Sequence, residues 1–248
     1  MNIAIIGSGI SGLTAAWRLH REHHLTIFEA NDYIGGHTNT VDVEVQGQHY
    51  AVDTGFIVFN DWTYPHFIDL LDQLGVASQP TLMSFSVRCE RTGLEYNGEN
   101  LNTLFAQRRN LFRPSFHRMI RDILRFNREA PALLDSPRAI TLNAYLREQN
   151  YSQEFIDHYI LPMAAAIWSA EPAVTGEMPV RFFVQFFRNH GLLSVSDRPQ
   201  WRVVQGGSRR YVERLTAPFH DRIRLSCPVE WVRRHSHQVQ VKPQHGPV

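Results

Sequence analysis

Asn2-Ile3-Ala4-Ile5-Ile6-Gly7-Ser8-Gly9-Ile10-Ser11-Gly12 follows the initial methionine, and Leu13, Ala16 and Trp17 continue it at helical spacing. A short apolar run, a glycine turn and an amphipathic stretch predict strand, turn and helix. That is the setting in which G-x-G-x-x-G carries chemistry. Gly7 makes the tight turn, Gly9 lets backbone approach a diphosphate, and Gly12 lets the helix lie close to the strand. Ile10 and Ser11 open the helix, whose unpaired N–H groups and positive dipole end favour phosphate. A second apolar run, Leu25 to Phe28, ends in Glu29, 22 positions after Gly7, near where an acid that grips an adenosine ribose is expected. A carboxylate there repels a 2′-phosphate, which argues against NADP and leaves NAD and FAD open.

The next segment, Glu29-Ala30-Asn31-Asp32-Tyr33-Ile34-Gly35-Gly36-His37-Thr38, resembles the second fingerprint of the flavin-containing amine oxidase, phytoene desaturase and protoporphyrinogen oxidase superfamily. There an acid is followed by Gly-Gly-Arg. The resemblance implies FAD as cofactor, with Gly35 and Gly36 bringing backbone to its diphosphate and Ala30, His37 and Thr38 among the binding residues. Asn31 and His37 stand where the family pattern commonly has arginine, so charge neutralisation leans on backbone N–H groups, with His37 a part-time cation. Asp53-Thr54-Gly55-Phe56-Ile57 resembles the family's Asp-x-Gly segment beside the isoalloxazine ring, which implies that Gly55 and Phe56 lie there. A glycine bulge between strands is the alternative reading of Gly55. Trp201 to Val204, Gly206-Gly207 and a helix opening at Ser208 resemble a Pro-x-Gly-Gly element, with Val204 in place of proline, and Val229 matches a valine that presents its backbone to the adenine.

The resemblance implies an α/β fold: a discontinuous Rossmann-like FAD/NAD(P)-binding domain, residues 1–60 and 200–248, with an inserted, mainly helical α+β substrate or cap domain over 61–199. In the family a further C-terminal segment completes the cofactor domain. That segment is missing here, so the chain is expected to be the N-terminal part of such a protein. The implied activity is that of an FAD-dependent oxidoreductase taking a hydride equivalent onto flavin N5 from an amine or an apolar, lipid-like substrate. No side chain is named as catalytic acid or base. The alternatives are a non-catalytic module that binds only part of a dinucleotide, and an NAD-dependent dehydrogenase, which the Gly35-Gly36 segment disfavours.

Other stretches supply expectations for the rest of the chain. Val41, Val43 and Val45 alternate with Asp42 and Glu44 before a turn into Tyr50 and Val52, predicting a hairpin with one buried face. Phe67, Leu70, Leu71 and Leu74 with Gly75 predict a helix with a glycine stop. Arg118, Arg121, Arg125 and Arg128 recur at helical steps beside Ile120, Ile123 and Leu124; the reading is either a solvated face or a surface for anionic headgroups. Phe155 to Ile167 reads as a helix bent at Pro162, and Phe182, Phe183, Phe186 and Phe187 as either core or the wall of an apolar substrate site. His20, His23 and His24 suit a helix C-terminus without any metal, and no metal site is expected.

Composition narrows the classes. The chain has 248 residues, 43% apolar and 20% charged, with formal net charge +1, which fits one or two globular domains and not a nucleic-acid binder. Among its 25 basic residues Lys242 is the sole lysine, which excludes a Gly-Lys-Ser/Thr phosphate loop and a Tyr-x-x-x-Lys acid/base pair. Cys89 and Cys227 fall in no paired motif. The longest apolar stretch, Tyr159 to Trp168, is ten residues, short of the ~20 a bilayer crossing needs. The residues from Met1 to Gly7 lack a secretion signal's basic region, so a cytoplasmic location is expected, with at most peripheral contact at the inner membrane face and a small-molecule substrate as partner.

Overall fold

In the computed structural model, which describes residues 1–244, β1 (Asn2–Ile6) lies parallel to β2 (His24–Phe28), with Ile3 opposite Leu25 and Ile5 opposite Ile27. Parallel strands need a crossover, and α1 (Ile10–Leu19) makes it, burying Leu13 and Ala16. β3 (Thr40–Val45) and β4 (Gln48–Asp53) form the expected hairpin, turned by Gln46 at φ 52° and Gly47 at φ 77°. The expectation of a buried hairpin face fails. Val41, Val43, Val45, Tyr50 and Val52 are all exposed. The ladder and the anchors at the hairpin's base hold the ribbon, and no other strand pairs with it among the described residues. β5 (Phe59–Asn60), α2 (Pro65–Leu74) and β6 (Ser78–Thr81) follow. α2 buries Leu70 and Leu71 and stops at Gly75, whose left-handed backbone (φ 63°) closes the last turn.

The chain separates into two compact units, Met1–Thr81 with Trp201–Val248, and Leu82–Gln200. α2 and β6 stand in the first: the apolar side chains of α2 join the core of Leu13, Ile27, Phe59 and Leu215, and β6 pairs with the strand Trp201–Val204.

The second unit starts with a hairpin of β7 (Ser86–Cys89) and β8 (Leu94–Asn97). Next come α3 (Leu101–Leu104), a 3-10 turn at Arg108–Phe112, α4 (Pro114–Glu129) and α5 (Leu142–Glu148). α6 (Gln153–Phe155) runs through a π-helical turn at Ile156–Ile160 into α7 (Leu161–Trp168), followed by α8 (Pro172–Gly176) and α9 (Val180–Asn189). Pro162 sits in the first turn of α7, and the widened turn before it accommodates the ring where a sharp bend was expected. Phe183 and Phe187 are buried and stacked 4.2 Å apart, whereas Phe182 is exposed. Two of the four phenylalanines are therefore core, packed with Phe126, Phe155 and Ile160.

The chain returns to the first unit through β9 (Trp201–Val204), which fits antiparallel between β5 and β6. Gly206 and Gly207 turn it at positive φ into α10 (Arg209–Thr216). β10 (Ile223–Arg224) then adds a third parallel strand on the far side of β2, and β11 (Val229–Arg234) pairs with β12 (Val239–Pro243). Asp53 caps α10: its carboxylate accepts from Ser208 N–H at 2.9 and 3.0 Å and from the Ser208 hydroxyl at 2.7 Å. Arg209 adds a two-pronged pair with Asp42, both contacts at 2.6 Å. Among the described residues no helix is long and apolar enough to cross a membrane.

Because Asp53 satisfies the start of α10 and the foot of the hairpin together, Asp53→Ala should lower stability by about 1–2 kcal/mol in urea denaturation, the usual cost of a lost helix cap. An unchanged midpoint would show that the cap is dispensable.

Candidate functional site

The three glycines of the first turn are required for different reasons. Gly7 adopts φ 93°, a conformation that side chains rarely take, and its N–H donates to Phe28 O at 2.7 Å. At Gly12 a Cβ would sit 2.1 Å from Gly7 O, so the helix lies against the turn with no room for a methyl group. Gly9 has neither constraint: its backbone (φ −70°, ψ 173°) suits any residue, and a Cβ there would meet nothing within 4 Å. Open space therefore lies in front of Gly9, on the side of the cavity that it lines.

The helix that starts there lacks a cap. Asn100 caps α3, Thr141 caps α5 and Asp53 caps α10, but no side chain accepts from the first turn of α1. Its opening N–H groups and the positive dipole end therefore face the mouth of the turn.

Glu29 sits behind the same turn, bonded to Ser8. Its carboxylate accepts from Ser8 N–H at 2.8 Å, from the Ser8 hydroxyl at 2.5 Å and from Asn31 N–H at 2.9 Å, and the residue is buried. Burial pushes the carboxyl up, but the hydrogen bonds from Asn31 and Ser8 outweigh it and hold it below its ordinary value of 4.5. Gly35 and Gly36 close the other side. Gly35 N–H donates to Ser8 O at 3.1 Å, and a Cβ on Gly36 would come within 2.9 Å of Gly9 Cα.

A cavity of about 550 Å³ opens from this turn. One wall is the glycine segment with Ile10, Ser11, His37 and Thr38; the other is Phe56, Tyr64, Phe67 and Tyr211. The aromatic wall is held edge to face, with Phe67 5.3 Å from Phe56 and 5.4 Å from Tyr211. Burial pushes the phenol of Tyr64 up, and that of Tyr211 too against its hydrogen bond with Thr38, so both stay protonated at neutral pH. The lining offers backbone, a helix start and apolar surface, with His37 as its remaining ionisable group.

Of the residues singled out from sequence, Gly7, Gly9, Ile10, Ser11, Gly12, Gly35, His37, Thr38 and Phe56 line this one cavity. Glu29 and Gly36 back it from behind, one bond or one contact away. Ala30 is exposed at the strand end. Gly55 is outside the lining, and its close approach is to the chain itself, since a Cβ would fall 1.8 Å from His37 O. Val229 is also outside; it lies two residues from Cys227, whose N–H donates to Glu29 O at 2.8 Å. The lining also has Tyr64, the residue before α2, Phe67 on α2 and Tyr211 on α10, none of which sequence reasoning places at the site. The spacing of Tyr211, four residues after the second glycine pair, was the available signal.

The family model for flavin containing amine oxidoreductase matches residues 10–248. A 1-hydroxycarotenoid 3,4-desaturase of Flavobacterium sp. (strain P99-3) is 46% identical over 71 residues, 28% of this chain and 13% of that protein. Cyclohexylamine oxidase from Brevibacterium oxydans IH-35A shares the fold with a TM-score of 0.72 at 22% identity, over 97% of this chain and 54% of its own. Wild-type putrescine oxidase bound to putrescine does so with a TM-score of 0.65 at 20% identity, over 98% and 56%. The chain thus spans about half the length of these solved relatives.

Two substitutions separate packing from ligand space. Gly12→Ala should destabilise the fold by about 1–3 kcal/mol through overpacking, although alanine is the better helix former. Gly9→Ala should leave the denaturation midpoint in place; equal losses at both positions would overturn the distinction. For Glu29, the folded-state carboxyl titrates below its unfolded value, so its contribution is present above pH 4.5 and is lost as pH falls through the lower folded value. Glu29→Gln should cost about 1.5–3 kcal/mol at pH 7, the range for hydrogen bonds to a charged group, and the gap from the unmodified chain should narrow below pH 4.5.

Proposed function

The chain belongs to the family of flavin containing amine oxidoreductases, a membership that implies FAD, and from it we propose that the first unit holds the adenine dinucleotide half of that cofactor. In this reading the diphosphate lies against Gly7, Gly9 and the uncapped start of α1, with Ile10, Ser11, Gly35, Gly36 and Thr38 around it. Glu29 receives the ribose hydroxyls. Gly55 and Phe56 stand on the flavin side, Val229 on the adenine side, and His37 beside the diphosphate. The supporting observation is the open space before Gly9, next to the uncapped helix and a fixed carboxylate.

The residues present fit the group chemically. A diphosphate needs donors and a positive end, which the α1 start supplies; a ribose needs an acceptor, and an ionised carboxylate is acceptor-only. FAD, when bound, supplies the two-electron oxidation chemistry of the family. The chain's own part is to bind and orient it and to keep water from the apolar wall of Phe56, Tyr64 and Phe67. We assign the substrate to the amines or to apolar, lipid-like chains, with the helical second unit recognising it and the whole acting as an FAD-dependent oxidoreductase.

Purified protein should carry flavin absorbance, with FAD as the extracted compound by mass. Gly9→Val should fold like the unmodified chain and bind FAD at least ten-fold more weakly. A well-folded protein that takes up no FAD on reconstitution would overturn the assignment of the turn. For the activity, anaerobic mixing of the flavin-loaded protein with primary amines and with polyene or acyl lipids should bleach the flavin band for one of the classes. Retained FAD with no bleaching by any donor would count against catalysis by this chain.

A further inference from the structure

The basic helix expected from Arg118, Arg121, Arg125 and Arg128 is only half available as a cationic surface. Arg125 lies over the Tyr151 ring at 4.2 Å and pairs with Glu129 at 3.1 Å and Asp122 at 3.8 Å, and Arg128 pairs with Glu129 at 2.8 Å. Those two charges are spent inside the unit. The available charge lies earlier, on the 3-10 turn, at Arg113 and on the first two turns of α4. From Leu101 to Arg121 the chain has five arginines (Arg108, Arg109, Arg113, Arg118 and Arg121), His117, and no carboxylate.

Their partners leave most of that charge uncompensated. Arg108 donates to Phe105 O and Asn102 Oδ1, Arg109 to Gly93 O, and Arg113 to the Ser115 hydroxyl, all uncharged oxygens. Arg118 reaches Glu154 only at 3.8 Å. The flanking Asp122 is buried and accepts from Ser152 N–H. α3, the 3-10 turn and α4 meet at His117, whose ring hydrogen-bonds Leu111 O at 2.8 Å and lies tilted 5.9 Å from the Phe105 ring.

Large apolar side chains stand out of this surface. Phe112 is 88% exposed and Leu101 75%, with Leu111 beside them also exposed. A nearly fully exposed phenylalanine next to an exposed leucine, in a segment of five arginines of which only Arg118 meets a carboxylate, suits an environment that takes up both. Apolar tips enter the acyl boundary of a bilayer while the arginines meet headgroup phosphates. Aliphatic tips such as Leu101 and Leu111 find no such partner on nucleic acid, and an acidic protein surface would leave Phe112 in water.

We propose that the face formed by residues 101–121 docks the second unit on an anionic lipid surface, with Phe112 and Leu111 inserted at the headgroup boundary. The inference stands on this face alone, independent of what the first unit binds.

The test is co-sedimentation of the full chain with vesicles of phosphatidylcholine alone and of equal parts phosphatidylcholine and phosphatidylglycerol. The expected result is binding to the anionic vesicles only, weakened by added salt through screening. Phe112→Ser and the double variant Arg108→Ala/Arg121→Ala should each weaken binding by about ten-fold or more, with unchanged circular dichroism and unchanged FAD content. No binding to anionic vesicles overturns the proposal. So does binding that neither variant alters, which would be attraction by charge elsewhere, and so does tighter retention on single-stranded DNA with the same sensitivity to Phe112→Ser, which would make the face a nucleic-acid surface.

Discussion

Three places in the first unit bring backbone so close to backbone that no side chain can stand between: Gly12 at Gly7 O, Gly36 at Gly9 Cα, and Gly55 at His37 O. The mouth of the cavity depends on these approaches. They let Gly35 N–H reach Ser8 O, and Ser8 in turn fixes the Glu29 carboxylate, so that segments more than twenty residues apart share one rigid rim. A methyl group at any of the three would separate the segments by more than a hydrogen bond tolerates. The rim is therefore made of main chain, which presents N–H groups at fixed positions and loses little entropy on binding.

The unit contains two strand, glycine, helix passages, and they end differently. The second, through Gly206 and Gly207 into α10, is filled by the chain's own carboxylate, Asp53, which takes the place an anion would occupy. The first, into α1, has no such filling. The α1 start, like those of α2, α4 and α9, has no side-chain cap, so it retains its unpaired donors and its dipole where α10 does not.

The parts legible in the sequence were those fixed by local chemistry. The order strand, Gly7 to Gly12, helix, strand, Glu29 follows from periodicity and from the rarity of residues that tolerate such backbone, and the parallel β1–β2 pairing matches it. Alternation in the hairpin was read as a sign of burial, yet it exposes both faces, because alternation records only that side chains point to opposite sides and not that something covers one of them. Gly55 looked like a place for a ligand to approach, but sequence cannot tell whether the approaching atom belongs to a ligand or to His37. Phe67 and Tyr211 meet only through tertiary packing across 144 positions of sequence, which no local pattern encodes. The arginines of α4 mislead for the same reason: spacing shows a basic stripe, and only contacts show that Arg125 and Arg128 are already paired.

The order of charges along the rim also bears on which ligand it accepts. The lining's phenols, Tyr64 and Tyr211, are pushed up by burial and remain neutral, so an anion meets no repulsion there and no general base either. Glu29, held below the ordinary carboxylate range by the donors of Asn31 and Ser8, stays charged at physiological pH despite its burial. Under the proposed reading a phosphate would lie at the α1 start and ribose hydroxyls at Glu29, and a 2′-phosphate placed there would meet a charged carboxylate.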